Sequence, residues 1–268
     1  MMATIERTVP YDANLRRLDG KKALVIGIAN ENSIAWGCAR AFRSFGAEVA
    51  VTYLNDKARP YVEPLAQAVE APIFMPLDVQ VPGQMEALFD EIGRRFGRLD
   101  VALHSIAFAP KADLQGRVVD CSREGFLLAM DVSCHSFIRM ARLAEPLMKD
   151  GGALFTMSYF GAERVIENYN LMGPVKAALE ASARYLAAEL GPKGIRVHAI
   201  SPGPLKTRAA SGIAHFDALL DQAAERAPAR RLVTIEDVGL AVAGLATDAA
   251  RLITGDTIYI DGGYHIMG

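Results

Sequence analysis

Only one tryptophan, three cysteines and five histidines occur in this chain, and neither sign of charge dominates, with 29 Lys and Arg against 31 Asp and Glu. A net charge of −2 with acids and bases interspersed gives no basic stripe for nucleic acid and no patch for an anionic membrane. Apolar runs stop well short of the roughly 18 residues a spanning helix needs. Met1 to Gly20 carries charge throughout and has no apolar core of a secretory signal. Cys38, Cys121 and Cys134 show no CxxC spacing and no histidine partner, which points to reduced thiols used for packing in a cytoplasmic protein. The scattered histidines give no metal-ligand spacing. The GxGxxG fingerprint of many dinucleotide-binding proteins is absent too, so nucleotide binding has to be argued from other residues.

What is present is a βαβ alternation. Continuous apolar runs at 23–28, 47–53, 72–77, 101–105, 153–157, 196–200 and 257–260 read as parallel strands covered on both faces. Helical patterns fill 35–45, 59–69, 83–96, 123–148, 175–190 and 235–245. With 51% hydrophobic residues and no linker, repeat or low-complexity stretch, this predicts a single α/β Rossmann-type doubly wound domain, a seven-stranded parallel sheet flanked by helices. Residues 1–19 read as an N-terminal extension and 20–268 as the domain. The segments 123–148 and 175–190 are apolar on more than one face and suggest contact with other subunits. The stretch 204–216, with Gly212 and small residues after the sixth strand, reads as a lid.

Several turns follow strand ends and would meet at one edge of such a sheet. The first is Gly27-Ile-Ala-Asn-Glu-Asn-Ser33-Ile34-Ala35-Trp-Gly37, where small residues let the backbone approach a pyrophosphate and Ser33 is suited to cap the next helix. Asp78-Val79 ends the third strand, where a carboxylate could accept from an adenine amino group. His104-Ser105-Ile106 ends the fourth, and Ser201-Pro-Gly203-Pro-Leu205-Lys206-Thr207 the sixth, where backbone groups could hold a carboxamide.

Tyr169 and Lys176 are seven apart, and on a helix seven steps return to within roughly 20° of the start. A phenol beside an ammonium can have its pKa lowered and can hold or donate a proton where charge develops. A second tyrosine, Tyr159, lies ten residues upstream. Pro174 falls inside the helix carrying the pair, so the helix is expected to start near Asn170, leaving the proline in its tolerated first turns.

These residues resemble the short-chain dehydrogenase/reductase superfamily, and within it the divergent branch of bacterial enoyl-acyl-carrier-protein reductases. The resemblance runs from about Leu18 to Gly263. It is carried by Gly27–Gly37, His104-Ser-Ile-Ala-Phe-Ala-Pro110, Ser158-Tyr-Phe-Gly-Ala-Glu-Arg164, Asn168-Tyr-Asn-Leu-Met172, Lys176 and Ser201–Gly212. The TGxxxGxG turn, the NAG turn and the Tyr-x3-Lys pair of ordinary superfamily members are all missing, which argues against a carbonyl–alcohol oxidoreductase.

The resemblance implies that reduced nicotinamide delivers hydride to the β-carbon of a trans-2-enoyl thioester carried on acyl carrier protein. Tyr169 would donate to the developing enolate oxygen, Lys176 would hold the nicotinamide ribose, and Tyr159 would line the acyl site. Ala109 would contact substrate through its backbone. Gly27, Ser33, Ile34, Leu54, Asp78, Val79, Ser105, Ile106, Lys176, Leu205, Lys206, Thr207, Arg208 and Ala209 would surround the cofactor. Leu54 cannot pair with a 2′-phosphate and Asp56 would repel one, although Lys57 and Arg59 lie nearby, so NADH is favoured over NADPH. The family assembles as homotetramers.

Overall fold

The computed structural model of the protein describes residues 17–207 and 216–267. Seven strands, β1 (Lys22–Ile26), β2 (Glu48–Tyr53), β3 (Phe74–Pro76), β4 (Val101–His104), β5 (Gly152–Met157), β6 (Ile195–Pro202) and β7 (Thr257–Ile260), form one sheet in the order β3-β2-β1-β4-β5-β6-β7. All pairs are parallel, with Ile26 opposite His104, His104 opposite Thr156, and Met157 opposite Ile200. The helices are α1 (Ile34–Ser44), α2 (Arg59–Ala68), α3 (Gln84–Phe96), α4 (Lys111–Gln115), α5 (Arg123–Met130), α6 (Ser136–Ala144), α7 (Met172–Leu190), α8 (Phe216–Arg226) and α9 (Ile235–Ala246).

Alternate residues of each strand feed opposite layers. Leu24 and Ile26 of β1 join a core with Leu88 and Ile92 of α3, Phe137 and Met140 of α6, and Leu179 and Leu186 of α7. Ala23 and Val25 face the other way, onto Phe42 of α1, Val62 of α2 and Val242 of α9. The sheet is therefore buried on both faces, as its continuous apolar strands require. Leu18, assigned to the extension from sequence, belongs to this second core, and its amide donates to the Phe45 carbonyl at 2.8 Å. Cys38 and Cys134 are buried in the two cores, and burial holds the Cys38 thiol well above its ordinary value, as inert packing requires.

The 123–148 helix is continuous in direction but not in winding. Between α5 and α6 the chain loosens into a π-helical turn at Asp131–His135, and the last turn tightens at Glu145–Leu147 around Pro146. Such π insertions gather at functional sites. This one turns Ser133 to the loop after β4, where its Oγ accepts from the Phe108 amide at 2.9 Å and donates to the Phe108 carbonyl at 3.1 Å. Among the described residues no helix is long and apolar enough to cross a membrane.

Candidate active site

Because every strand is parallel, all the strand exits open on one edge, and the order reverses between β1 and β4. Ligands bind open α/β sheets at such a switch point. Gly27 leaves β1 with φ +106°, and a Cβ there would meet the Ser105 carbonyl oxygen at 2.1 Å. Only glycine allows the exits of β1 and β4 to lie this close. Gly27→Ala should therefore lose about 1–3 kcal/mol of stability, read as a lowered Tm, together with weakened dinucleotide binding. An unchanged melting curve would contradict the contact.

Ser33 occupies the N-cap position of α1 with extended backbone but does not cap it. Its Oγ instead accepts from the Ala29 and Asn30 amides at 3.0 and 3.1 Å, so the hydroxyl shapes the 27–33 loop. The leading amides of α1 carry no side-chain cap, and no acidic residue sits in its first turn. Uncapped amides at a helix N-terminus suit an anionic pyrophosphate, so the residues present fit a dinucleotide here.

The other expected cofactor residues ring the same edge. Leu54, just past β2, is exposed. Asp78 and Val79 follow β3; the Asp78 Oδ1 accepts from the Gln80 amide at 3.0 Å, and Arg139 of α6 donates to the Val79 carbonyl at 2.9 Å. Ser105 and Ile106 follow β4, both half-buried. Leu205 packs on the core after β6, and the Thr207 amide turns back to the Leu205 carbonyl at 2.8 Å, with Lys206 exposed between them. Arg208 and Ala209, and with them most of the expected lid at 204–216, lie outside the described residues. His104 does not face the edge. Its ring is buried in β4, bonded to Ser136 at 2.7 Å and Thr156 at 3.3 Å, and burial lowers its pKa to about 3, so it stays neutral.

The tyrosine–lysine pair is assembled differently from the helical spacing that suggested it. Asn168 and Asn170 have φ of +63° and +43°, a left-handed conformation that asparagine tolerates and a helix excludes. The helix thus starts at Met172 rather than near Asn170, and Tyr169 sits in the turn before it. Asn170 anchors that turn by donating to the Leu114 carbonyl at 2.9 Å. Pro174 still falls in the first turn of α7, where its missing N–H leaves no bond unmade.

Tyr169 is buried, its ring edge-on to Tyr159 at 4.9 Å and packed so closely on Gly161 that a Cβ there would lie 2.4 Å from the Tyr169 ring. Ala109, Tyr159 and Tyr169 share one apolar cluster with Leu171, Met172 and Val175, so the three expected substrate residues come together. The Tyr159 hydroxyl is buried with no hydrogen-bond partner among the described residues. Leaving such a group unpaired costs about 1–3 kcal/mol, which a ligand acceptor would recover.

Lys176 is only 4% exposed, far from a solvated surface lysine, and its Nζ donates to the Met157 carbonyl at 2.6 Å. Burial lowers its pKa to about 8, against the opposing pull of Cys134 and Glu180. The phenol is not acidified as the sequence suggested. Burial, followed by Tyr159 and Glu180, holds Tyr169 above its ordinary value, so it remains a protonated donor. Sequence reasoning also passed over Glu180, which accepts from the Ser158 hydroxyl at 2.5 Å. Its position four residues beyond Lys176 on the same helix gave no sign that it is buried.

A doubly wound sheet with an uncapped helix terminus at its switch point, and a buried tyrosine and lysine beside it, defines a dinucleotide-dependent oxidoreductase of the short-chain dehydrogenase/reductase type. The chain belongs to the enoyl-(acyl carrier protein) reductase family, whose model matches residues 27–265. It is 45% identical over 251 residues to enoyl-[acyl-carrier-protein] reductase [NADH] 1 of Rhizobium meliloti, covering 94% of this chain and 92% of that protein. The enoyl-(acyl-carrier-protein) reductase of Anaplasma phagocytophilum, solved with NAD, superposes with a TM-score of 0.90 at 45% identity, covering 94% of this chain and 96% of that one. The Bacillus cereus enoyl-acyl carrier protein reductase, solved with NADP+ and an indole naphthyridinone, superposes with a TM-score of 0.91 at 45% identity, covering 94% and 98%.

Proposed function

We propose that this chain is an NADH-dependent enoyl-acyl-carrier-protein reductase that reduces the double bond of trans-2-enoyl thioesters in fatty-acid elongation. The observation that carries the reading is the convergence of Ala109, Tyr159 and Tyr169 in one apolar cluster, with buried Lys176 bonded at the end of the neighbouring strand β5. NADH, when bound, supplies the hydride for the substrate β-carbon. Gly27, Ser33, Ile34, Ser105 and Ile106 would hold its pyrophosphate side, Asp78 and Val79 its adenine, and Leu205 to Ala209 its nicotinamide. Tyr169 donates to the thioester oxygen as negative charge develops there, stabilisation worth most where water is excluded. Lys176 holds the ribose through its remaining N–H groups, and Tyr159 lines the acyl site.

The preference for NADH is supported by the surroundings of Leu54. Of the two nearby cations, Arg59 is paired with Glu63 at 3.1 Å and lies over the Tyr53 ring, so it is already engaged, while Lys57 is exposed. A comparison of NADH with NADPH in the same enoyl assay tests this, and a higher kcat/KM with NADPH would overturn it.

Lys176 sets a pH limit. As its ammonium is lost, kcat/KM should fall as pH rises through about 8. A pH profile flat to the ordinary lysine range would contradict it. The same group affects stability with the opposite sign. Its folded value of about 8 lies below the ordinary 10.5, so between the two the unfolded chain binds more protons and this group's contribution to stability rises with pH.

The partner for substrate delivery is acyl carrier protein, and the setting is the cytoplasm. Exposed Phe126 and Leu127 on α5, Ile138 on α6 and Tyr185 on α7 support assembly through these helices into a homotetramer with closed symmetry. Light scattering should give the mass of four chains; the mass of one chain at micromolar concentration would reject the assembly.

A further inference from the structure

The mechanism gives tasks to Lys176, Tyr169 and Tyr159 and leaves one buried carboxylate of the same helix without any. Glu180 is 5% exposed. An apolar side chain there would pack α7 on the sheet without the several kcal/mol that desolvating a carboxylate costs. Four residues apart on α7, Lys176 and Glu180 lie on one helix face. Both reach the exit of β5: Lys176 donates to the Met157 carbonyl at 2.6 Å, and the Ser158 hydroxyl donates to Glu180 Oε1 at 2.5 Å. Ser158 is further fixed by its amide, which donates to the Ile200 carbonyl at 2.6 Å. The next residue is Tyr159, whose ring meets Tyr169 edge-on. One face of α7 thus grips two successive residues immediately before the site tyrosine.

We propose that Glu180 is a positioning residue for the reaction: its carboxylate clamps the β5 exit through Ser158 and keeps Lys176 in its charged form for the cofactor ribose, a proposal that rests on the reductase reading. Lys176 is faced by the Cys134 thiol from the π-helical turn, by Glu180 from its own helix and by neutral His104 from β4, and of these Glu180 is the carboxylate. The groups around Glu180 are Ser158 from β5, Thr257 from β7, Glu163 from the turn after β5, and Arg184 from α7. Burial, with Glu163 adding to it, holds the Glu180 carboxyl above its ordinary value, against the downward pull of the Ser158 and Thr257 hydroxyls and Arg184. Its field also reaches Tyr169 and Tyr259, where it adds to the effect of burial in disfavouring the phenolates.

The test measures NADH affinity by fluorescence, and kcat/KM, across pH in the full-length wild type, Glu180→Gln and Glu180→Asp, with a thermal melt of each. If the carboxylate sustains the ammonium, Glu180→Gln moves the alkaline loss of NADH affinity to lower pH by about one unit, and Glu180→Asp, which keeps the charge, stays nearer the wild type. A purely packing role predicts the reverse order, because glutamine keeps the shape and aspartate does not; that order, or superimposable profiles for Glu180→Gln and wild type, overturns the proposal. Should Glu180→Gln fail to fold, Ser158→Ala carries the test. With its anchor gone the carboxylate can turn away from Lys176, and the alkaline limb again moves down; a limb at the wild-type pH overturns the clamp. Absence of enoyl-thioester turnover in the wild type would fail the reductase reading instead, and the binding titration reads Glu180 separately from it.

Discussion

Tyr169→Phe should lower kcat roughly 100- to 1,000-fold with NADH affinity nearly unchanged, because the hydroxyl works mainly in the transition state. Removing one such donor costs about 2.7–4 kcal/mol in comparable oxyanion sites. The substitution is conservative for packing: phenylalanine keeps the ring against Tyr159 and Gly161, so the fold has no reason to change. Burial holds the phenol above its ordinary value, so the wild-type hydroxyl stays protonated across the working pH range and available to donate. Steady-state turnover at saturating NADH and crotonyl-CoA, beside a fluorescence titration of NADH, measures both halves. Wild-type kcat would remove Tyr169 from the chemistry, and a large loss of NADH affinity would make it a cofactor residue instead.

Lys176→Ala should damage binding and turnover together. Hydrogen bonds from a charged donor contribute about 1.5–3 kcal/mol, so NADH affinity should fall roughly 10- to 150-fold, with kcat falling alongside because the nicotinamide is no longer held against the substrate. The lysine is buried, so truncation also leaves a gap beside Met157. Lys176→Met separates the two effects, since methionine fills most of the volume without the charge. Equal losses in both variants identify the ammonium as the cause. Recovery of NADH affinity in Lys176→Met would reduce the residue to packing.

The sheet was legible in the sequence because its inner strands are buried on both faces and so read as unbroken apolar runs. Their parallel order then placed each expected cofactor turn, after β1, β2, β3, β4 and β6, on the one edge where the strands exit. Less visible were features set by local backbone geometry. The left-handed Asn168 and Asn170 delay α7 to Met172, and nothing in a helical period announces them. The π-helical turn at Asp131–His135 is likewise silent, because the apolar pattern on either side runs on. Ser33 reads as a helix cap from residue type and position, yet its hydroxyl goes to the preceding loop. Helix α8 was passed over although Leu220, Ala223 and Ala227 recur at helical spacing and are all buried. Glu180 was missed for a different reason: a lone glutamate on a helix usually faces water, and only the tertiary contact with Ser158 shows that this one does not.

The direct test of the central claim is the rate of NADH oxidation by the purified full-length protein with crotonyl-CoA, set beside a β-ketoacyl thioester of the same length. The account predicts steady oxidation with the enoyl thioester, yielding the saturated acyl product, and none above background with the keto compound. Oxidation driven by the keto thioester, or tight NADH binding with no oxidation by either, would contradict it.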